Sequence, residues 1–574
     1  MAMNSVFLIV GTVVAYLLAY RLYGRYLGSK IFKLDDSRPT PAHTMRDDVD
    51  YLPTKKEVLF GHHFTSIAGL GPIVGPIIAV IWGWLPAMLW VVFGSILIGG
   101  IHDMGSIVVS MRNRGLSIGE IASSLINRRS RMLFLLIIFF ELWMVIAVFA
   151  LIIAILFTMY PASVLPVWLQ IPIAMTVGWY VYSKGGNIYV ASLIAIILMY
   201  LTIVLGTYVP LEIPSIMGLS ATEAWMVILF IYAFVASILP VWLLLQARDF
   251  INALQLVIIL ILLALGVLVA HPVVVAPMVQ AHPIGAPSMI PFLFIIIACG
   301  ANSGFHSLVG SGTTSKQINM ESDSKFIGYG GMLMEGVLAA LVIVAVTAGI
   351  GMGTGSGTNL LTGQAAWLHH YSSWSAIQGL NAKLAAFVTG AVNMIEVIGV
   401  PKNIAATIFG VFLVSFANTT LDTAARIQRY VISEVSLDYR MPVLSNKYVA
   451  TFLAVATAAL LAFSNKGGKG ALTLWPLFGA VNQLLAGLAL LIITVYLKRK
   501  GARALVAGIP MIFMVSMTGY AMVLNILDFM KKGNILLLLV GLVVLVLEIW
   551  MIGEAIFVLT KKGKYGELNG ENID

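Results

Sequence analysis

The sequence predicts an all-α polytopic membrane protein of about 15 transmembrane helices, N-terminus outside and C-terminus inside. Three observations predict it. Hydrophobic residues make up 60% of the 574 and charged residues only 10%, against about 25% in a soluble domain. Apolar runs long enough to cross a bilayer recur along the whole chain. Lysine and arginine gather in alternate loops, as cytoplasmic loops require. The net charge of +9 follows from that placement and implies no nucleic-acid partner. The natural partner is the lipid bilayer, and the oligomeric state is open.

The first run, 4–27, has no basic segment before it and no small-x-small cleavage site, and Arg21 and Arg25 follow it. It reads as a retained peripheral helix, not a cleaved signal peptide. Further spans are expected at 65–84, 86–110, 132–159, 164–183, 188–210, 222–245, 251–270, 289–312, 329–352, 404–421, 447–464, 472–497, 504–528 and 534–560. The loop after the first span carries Lys30, Lys33, Arg38, Arg46, Lys55 and Lys56, and the loop after the third carries Arg112, Arg114, Arg128, Arg129 and Arg131. Both are therefore placed inside. If 381–398 does not span, the loop with Arg426, Arg429, Arg440 and Lys447 is inside too, as is the tail with Lys561, Lys562 and Lys564. The expected organisation is a peripheral helix (1–27), a cytoplasmic loop (28–61), a ten-helix core (62–421) with an outer region of short helices at 353–403, and four more helices within 422–574.

A ten-helix core of five plus five inverted helices predicts interruptions in its first and sixth helices. The first carries "HHFTSIAGLGPIVGP", with Gly69, Gly71, Pro72, Gly75 and Pro76 in mid-span. The sixth reads "ATEAWMVILFIYAFVASILPVWLLLQARDF", with Ser237 and Pro240 well inside. Proline removes a backbone donor and clashes with the preceding turn. Freed backbone groups at membrane depth are tolerated only against protein or a watery cavity.

The stretch "HHFTSIAGLGPIVGPIIAVIWGWLPAMLWVVFGSILIGGIHDMGSIVVSMRNRG" resembles the N-terminal signature of the carbon starvation protein A family. "ASILPVWLLLQARDFINA", "PFLFIIIACGANSGFHSLVGSGTTSKQI" and "FANTTLDTAARIQRYVISE" resemble its later blocks, in order, from about residue 38 to 435. The resemblance implies a bacterial inner-membrane transporter for peptides or pyruvate under nutrient limitation, at least some members using a proton gradient. It also implies a LeuT-like (amino acid–polyamine–organocation) core.

In that architecture opened backbone holds the substrate, and half-helix N-termini favour a carboxylate. The candidates are Ala68, Gly69, Gly71, Pro72, Gly75 and Pro76 in the first broken helix, with Ser237 and Pro240 in the sixth. Small-residue helix packing would leave the same pattern. For the coupling ion or proton, Asp103 lies deep in "ILIGGIHDMGSIVVS", where a carboxylate costs about 2.5–3.5 kcal/mol unless partnered. Ser303, His306 and Ser307 in "IACGANSGFHSLVGSGTTSKQ" share a helical face, with Thr313 and Thr314 beyond them. His62 and His63 stand at the entrance to the first core helix; they suit a proton relay or an interfacial role bonded to backbone or headgroups. Gate pairs are candidates at Asp249, beside Arg248, and at Asp422, four residues before Arg426.

No cofactor is expected. Cys299 is the only cysteine, so no disulfide within the chain and no cysteine-based metal site is foreseen,. The absence of HExxH, GxSxG and P-loop patterns argues against an enzyme and against ATP-driven transport. The leading reading is a secondary importer of pyruvate or small peptides, probed against a sodium-coupled carboxylate carrier, a channel and a nutrient-sensing transceptor.

Overall fold

The computed structural model describes residues 3–560 apart from 217 and 356; the tail with Lys561, Lys562 and Lys564 lies outside the described residues. The helices in chain order are α1 Ser5–Ile31, α2 Lys56–Ala68, α3 Gly71–Trp82, α4 Trp84–Met111, α5 Arg128–Met159, α6 Pro161–Lys184, α7 Ile188–Tyr208, α8 Ala221–Ile238 and α9 Leu245–Ala270. They continue with α10 Met289–Ile296 and α11 Gly304–Gly312, α12 Lys325–Met352, α13 Leu380–Glu396, α14 Lys402–Ser436, α15 Lys447–Phe463, α16 Trp475–Arg499, α17 Leu505–Lys531 and α18 Ile535–Thr560. Twelve are long and apolar enough to cross a membrane, fourteen spans in all if two sharply bent pairs each count as one. One bent pair is α2–α3, which turns by 42°.

Two expectations are corrected here. The run 289–312 is not one helix: α10 and α11 are separated by a non-helical stretch at 297–303. The run 222–245 does not continue through a proline break, because α8 ends at Ile238 and a turn over 239–244 leads into α9. The second mid-span interruption therefore falls in the eighth core segment, not the sixth. The outer region 353–403 contains short helices at Gly363–Tyr371 and Leu380–Glu396.

Burial sorts the helices into layers. Leu17 and Leu22 on α1, Leu193 and Leu201 on α7, Ile509 and Ile512 on α17, and Val543 and Val546 on α18 present bare apolar surface, as a lipid-facing rim must,. By contrast α12, α14 and α16 are sheathed by protein along their apolar stretches. Within the centre α3 packs along α12, α11 along α4, and α5 along α14. The loop over 28–61 is pinned rather than free: Thr40 donates to the Ile318 carbonyl at 2.6 Å, and Arg112 grips Glu321, whose carboxylate also accepts the Asp35 amide.

Candidate functional site

The first break forms because Ala68 is followed by Gly69 and Leu70, and Gly71 and Pro72 then start α3. Proline is tolerated at a helix start, where its missing amide had no partner. The second break has Gly300 at φ +86°, a conformation that favours glycine,. The two breaks touch. A Cβ on Gly71 would lie 2.4 Å from the Cβ and Sγ of Cys299, and one on Gly75 would lie 2.5 Å from the Ile296 carbonyl oxygen. Gly71, Pro72 and Gly75 thus line a contact between two interrupted helices, Gly69 instead faces Thr420 of α14, and Ala68 and Pro76 are buried beside them. Gly75→Ala meets backbone, which cannot rotate away, and is expected to cost about 1–3 kcal/mol. Thermal unfolding in detergent checks this; an unchanged Tm would mean the helices do not abut there.

Side chains satisfy the opened backbone of the second break. Trp90 donates to the Ile297 carbonyl at 3.2 Å, and the Gly300 amide donates to Glu335 at 2.9 Å. Gln483 donates to the Asn302 carbonyl at 3.1 Å, and the Phe305 amide donates to Asn482 at 2.9 Å. Asn482 and Gln483 belong to α16, so a helix from the C-terminal part of the chain clamps the centre. Freed groups at membrane depth need such partners.

Against this break stands a fully buried carboxylate–histidine chain. Asp103 holds His102 Nδ1 at 2.8 Å and His306 Nδ1 at 2.9 Å. An ionised carboxylate only accepts, so both rings present Nδ1–H to it. His306 Nε2 then faces Glu335 Oε2 at 3.3 Å. The chain joins α4, α11 and α12 through groups that each carry or release a proton.

His63 bonds Thr314 at 2.9 Å, and His62 bonds Asp249 at 2.7 Å. Both rings are buried, which overturns the interfacial alternative. Among the hydroxyl candidates, Ser307 and Thr313 donate to their own helix at Gly304 and Val309, while Ser303 pairs with Asn482. The hydroxyls bond different partners, and Ser303 sits at the N-cap position of α11, outside the helix, without a side-chain capping bond.

One gate candidate keeps its expected arginine and the other changes partner. Asp422 pairs with Arg248, not with Arg426, and also accepts from Tyr232 at 2.8 Å. Arg248 reaches Asp249 at 2.9 Å, extending the line to His62. Arg426 meets Asp50 at 3.2 Å and donates to the carbonyls of Ala236 and Leu239; Arg429 donates to that of Ser237. Ser237 and Pro240 thus lie at a helix end whose carbonyls already hold two guanidinium groups. That end carries partial negative charge, which cations complement.

Asp50 lies outside the spans. Burial pushes its carboxyl up, but the charges of Arg426, Lys316 and Arg429 outweigh this and hold it below the usual carboxylate range. A depressed folded-state value means its stabilisation is complete above the unfolded carboxylate value and is lost only as pH falls through the lower, folded one. The latch should therefore be pH-insensitive from about pH 5 to 8. Asp50→Asn is expected to remove about 1.5–3 kcal/mol at neutral pH. Melting curves of both proteins across that range check the pair of statements.

Sequence reasoning did not single out Glu335, His102, Tyr232 or the α16 amides. Glu335 carried a usable signal, a lone carboxylate in "GGMLMEGVLAAL". Set beside known proteins, residues 4–521 match the family model described as Carbon starvation protein CstA. The chain belongs to the CstA family. Among its relatives, the Helicobacter pylori peptide transporter CstA is 34% identical, covering 93% of this chain and 83% of its own. The Bacillus subtilis peptide transporter CstA is 33% identical over 91% of each chain. The Escherichia coli pyruvate/proton symporter BtsT is 32% identical over 91% of this chain and 82% of its own. A solved manganese transporter of Eremococcus coleocola aligns with 89% of this chain and 98% of its own at 13% identity and a TM-score of 0.41, too loose a likeness to assign anything to this CstA-family chain.

Proposed function

We propose that this chain is a secondary active transporter of the cell membrane that imports pyruvate or small peptides with protons. The observation that carries the reading is the contact of two interrupted helices beside the buried Asp103–His306–Glu335 chain. Unwound backbone supplies a site for a small carboxylate, and the adjoining carboxylates and histidines supply a proton carrier. The names of the relatives support the substrate classes and the coupling ion.

Two halves of opposite orientation follow from the same pairing. The half-helices α2 and α11 lie toward the side bearing the 28–61 loop, and α3 and α10 lie toward the other. Each broken helix is followed by a long span, α4 or α12, and then by the paired α5 and α14. In this reading the second half of a LeuT-like core extends to α16. Asp50, Arg426 and Arg429 close the loop side, and the Arg248–Asp249–Asp422 network holds the helices that must separate when it opens.

Uptake of labelled pyruvate and dipeptides into proteoliposomes, with pH and sodium gradients imposed separately, tests the proposal. Accumulation driven by an inward proton gradient, collapsed by a protonophore, is expected. Accumulation driven by sodium alone would replace the proton, and none under either gradient would remove both substrate classes.

A further inference from the structure

Cys299, His306 and Glu335 converge from the second break, α11 and α12. One ligand atom from each, Sγ, Nε2 and a carboxylate oxygen, lies within 4.8 Å of the other two. His306 Nε2 and Glu335 Oε2 are buried with no hydrogen-bond partner beyond the ion pair they make with each other at 3.3 Å. A tetrahedral zinc ion with nitrogen and oxygen ligands at about 2.0–2.2 Å sets those two atoms about 3.3–3.5 Å apart. That edge is already in place. The thiol is on non-helical backbone, with its sulfur within 4.8 Å of both other ligand atoms.

The surrounding groups fit the same purpose. His306 gives its other ring nitrogen to Asp103 at 2.9 Å, the carboxylate–histidine arrangement that fixes the tautomer and aims Nε2 at a metal. The Gly300 amide holds the second oxygen of Glu335. Cys299 is partly exposed as a residue, whereas His306 and Glu335 are fully buried.

We propose that Cys299, His306 and Glu335 form a binding site for a thiophilic divalent transition-metal ion of the zinc or cobalt class, with Asp103 as a positioning residue and a fourth position open. Calcium and magnesium prefer all-oxygen ligand sets, whereas thiolate, imidazole and carboxylate together suit zinc and its neighbours. Binding requires the thiolate and a neutral imidazole, so affinity rises with pH and protons are released. Because His306 and Glu335 also belong to the chain proposed to carry the coupling proton, an ion held here displaces that proton and arrests transport.

The test uses the full chain, purified in detergent without a histidine tag, and cobalt(II) as the probe. One cobalt per chain is expected, with a sulfur-to-cobalt charge-transfer band in the near ultraviolet that zinc abolishes by displacement. Cys299 is the only cysteine, so Cys299→Ser should remove the band. His306→Gln and Glu335→Gln should weaken binding at least about tenfold, and Asp103→Asn by about 10–100-fold. Where a variant fails to fold, the unaltered protein decides: zinc should slow alkylation of Cys299 by a maleimide at least about tenfold at saturation. A cobalt complex without the sulfur band, or alkylation indifferent to zinc, would overturn the site.

Discussion

Asp103→Asn is expected to abolish proton-driven uptake while leaving a folded chain that still exchanges substrate across the membrane. Asp103 accepts from His102 and from His306 at once. An asparagine of the same size offers one acceptor and one donor, so one histidine would meet a donor with a donor and must change tautomer. That mismatch costs about 1–3 kcal/mol in a buried site, too little to unfold a chain of this size. It does interrupt the bonded path from His102 to Glu335. Gradient-driven accumulation should fall by about tenfold or more, the loss of roughly 1.4 kcal/mol of coupling. Counterflow with no imposed gradient should persist. Equal losses in both assays would make Asp103 a structural residue and defeat its role in coupling.

Arg248→Met should have the larger effect on stability. Arg248 is buried between Asp249 and Asp422 and contacts Tyr232 at 2.6 Å. Removing one partner of a buried ionic network leaves uncompensated charge at a cost of about 3–5 kcal/mol. Here two buried carboxylates would lose their shared cation, leaving His62 beside Asp249 and the Tyr232 hydroxyl on Asp422. Arg248→Lys should rescue little, because one ammonium cannot reproduce the guanidinium fork. The double variant R248M/D422N should regain much of the folding, since Asp249 keeps His62. Tm values in one detergent, read as a double-mutant cycle, decide it. If the single variant melts like the unaltered protein, the network is not an energetic unit.

The fold class was legible because composition and run length are local properties, and every span expected outside 222–245 and 289–312 has a helical counterpart. The second break was not legible. Pro240 is the stronger local signal, yet there the helix simply ends, and Arg426 and Arg429 take its last carbonyls. "ACGANSG" unwinds because Trp90, Glu335, Asn482 and Gln483 arrive from elsewhere to satisfy its backbone. No window around residue 300 contains those partners. One gate pair failed for the same reason: Asp422 lies four residues from Arg426, but tertiary packing gives it Arg248 instead, while Asp249 does meet the neighbouring Arg248. Asp103 and His306 were recognisable because a deep charge and a histidine in an apolar run are costly enough to mark themselves.

One junction has a mechanical meaning. Gln246, at the start of α9, donates both to Thr54, just before α2, and to Gln317, just after α11. Thr54 also donates its amide to the Gln317 carbonyl, and Thr314 holds His63 of α2. The loop-side halves of both broken helices are therefore fastened to one fulcrum. A shift of either loop-side half would strain the bonds that hold the other, so Gln246, Thr54 and Gln317 couple the two.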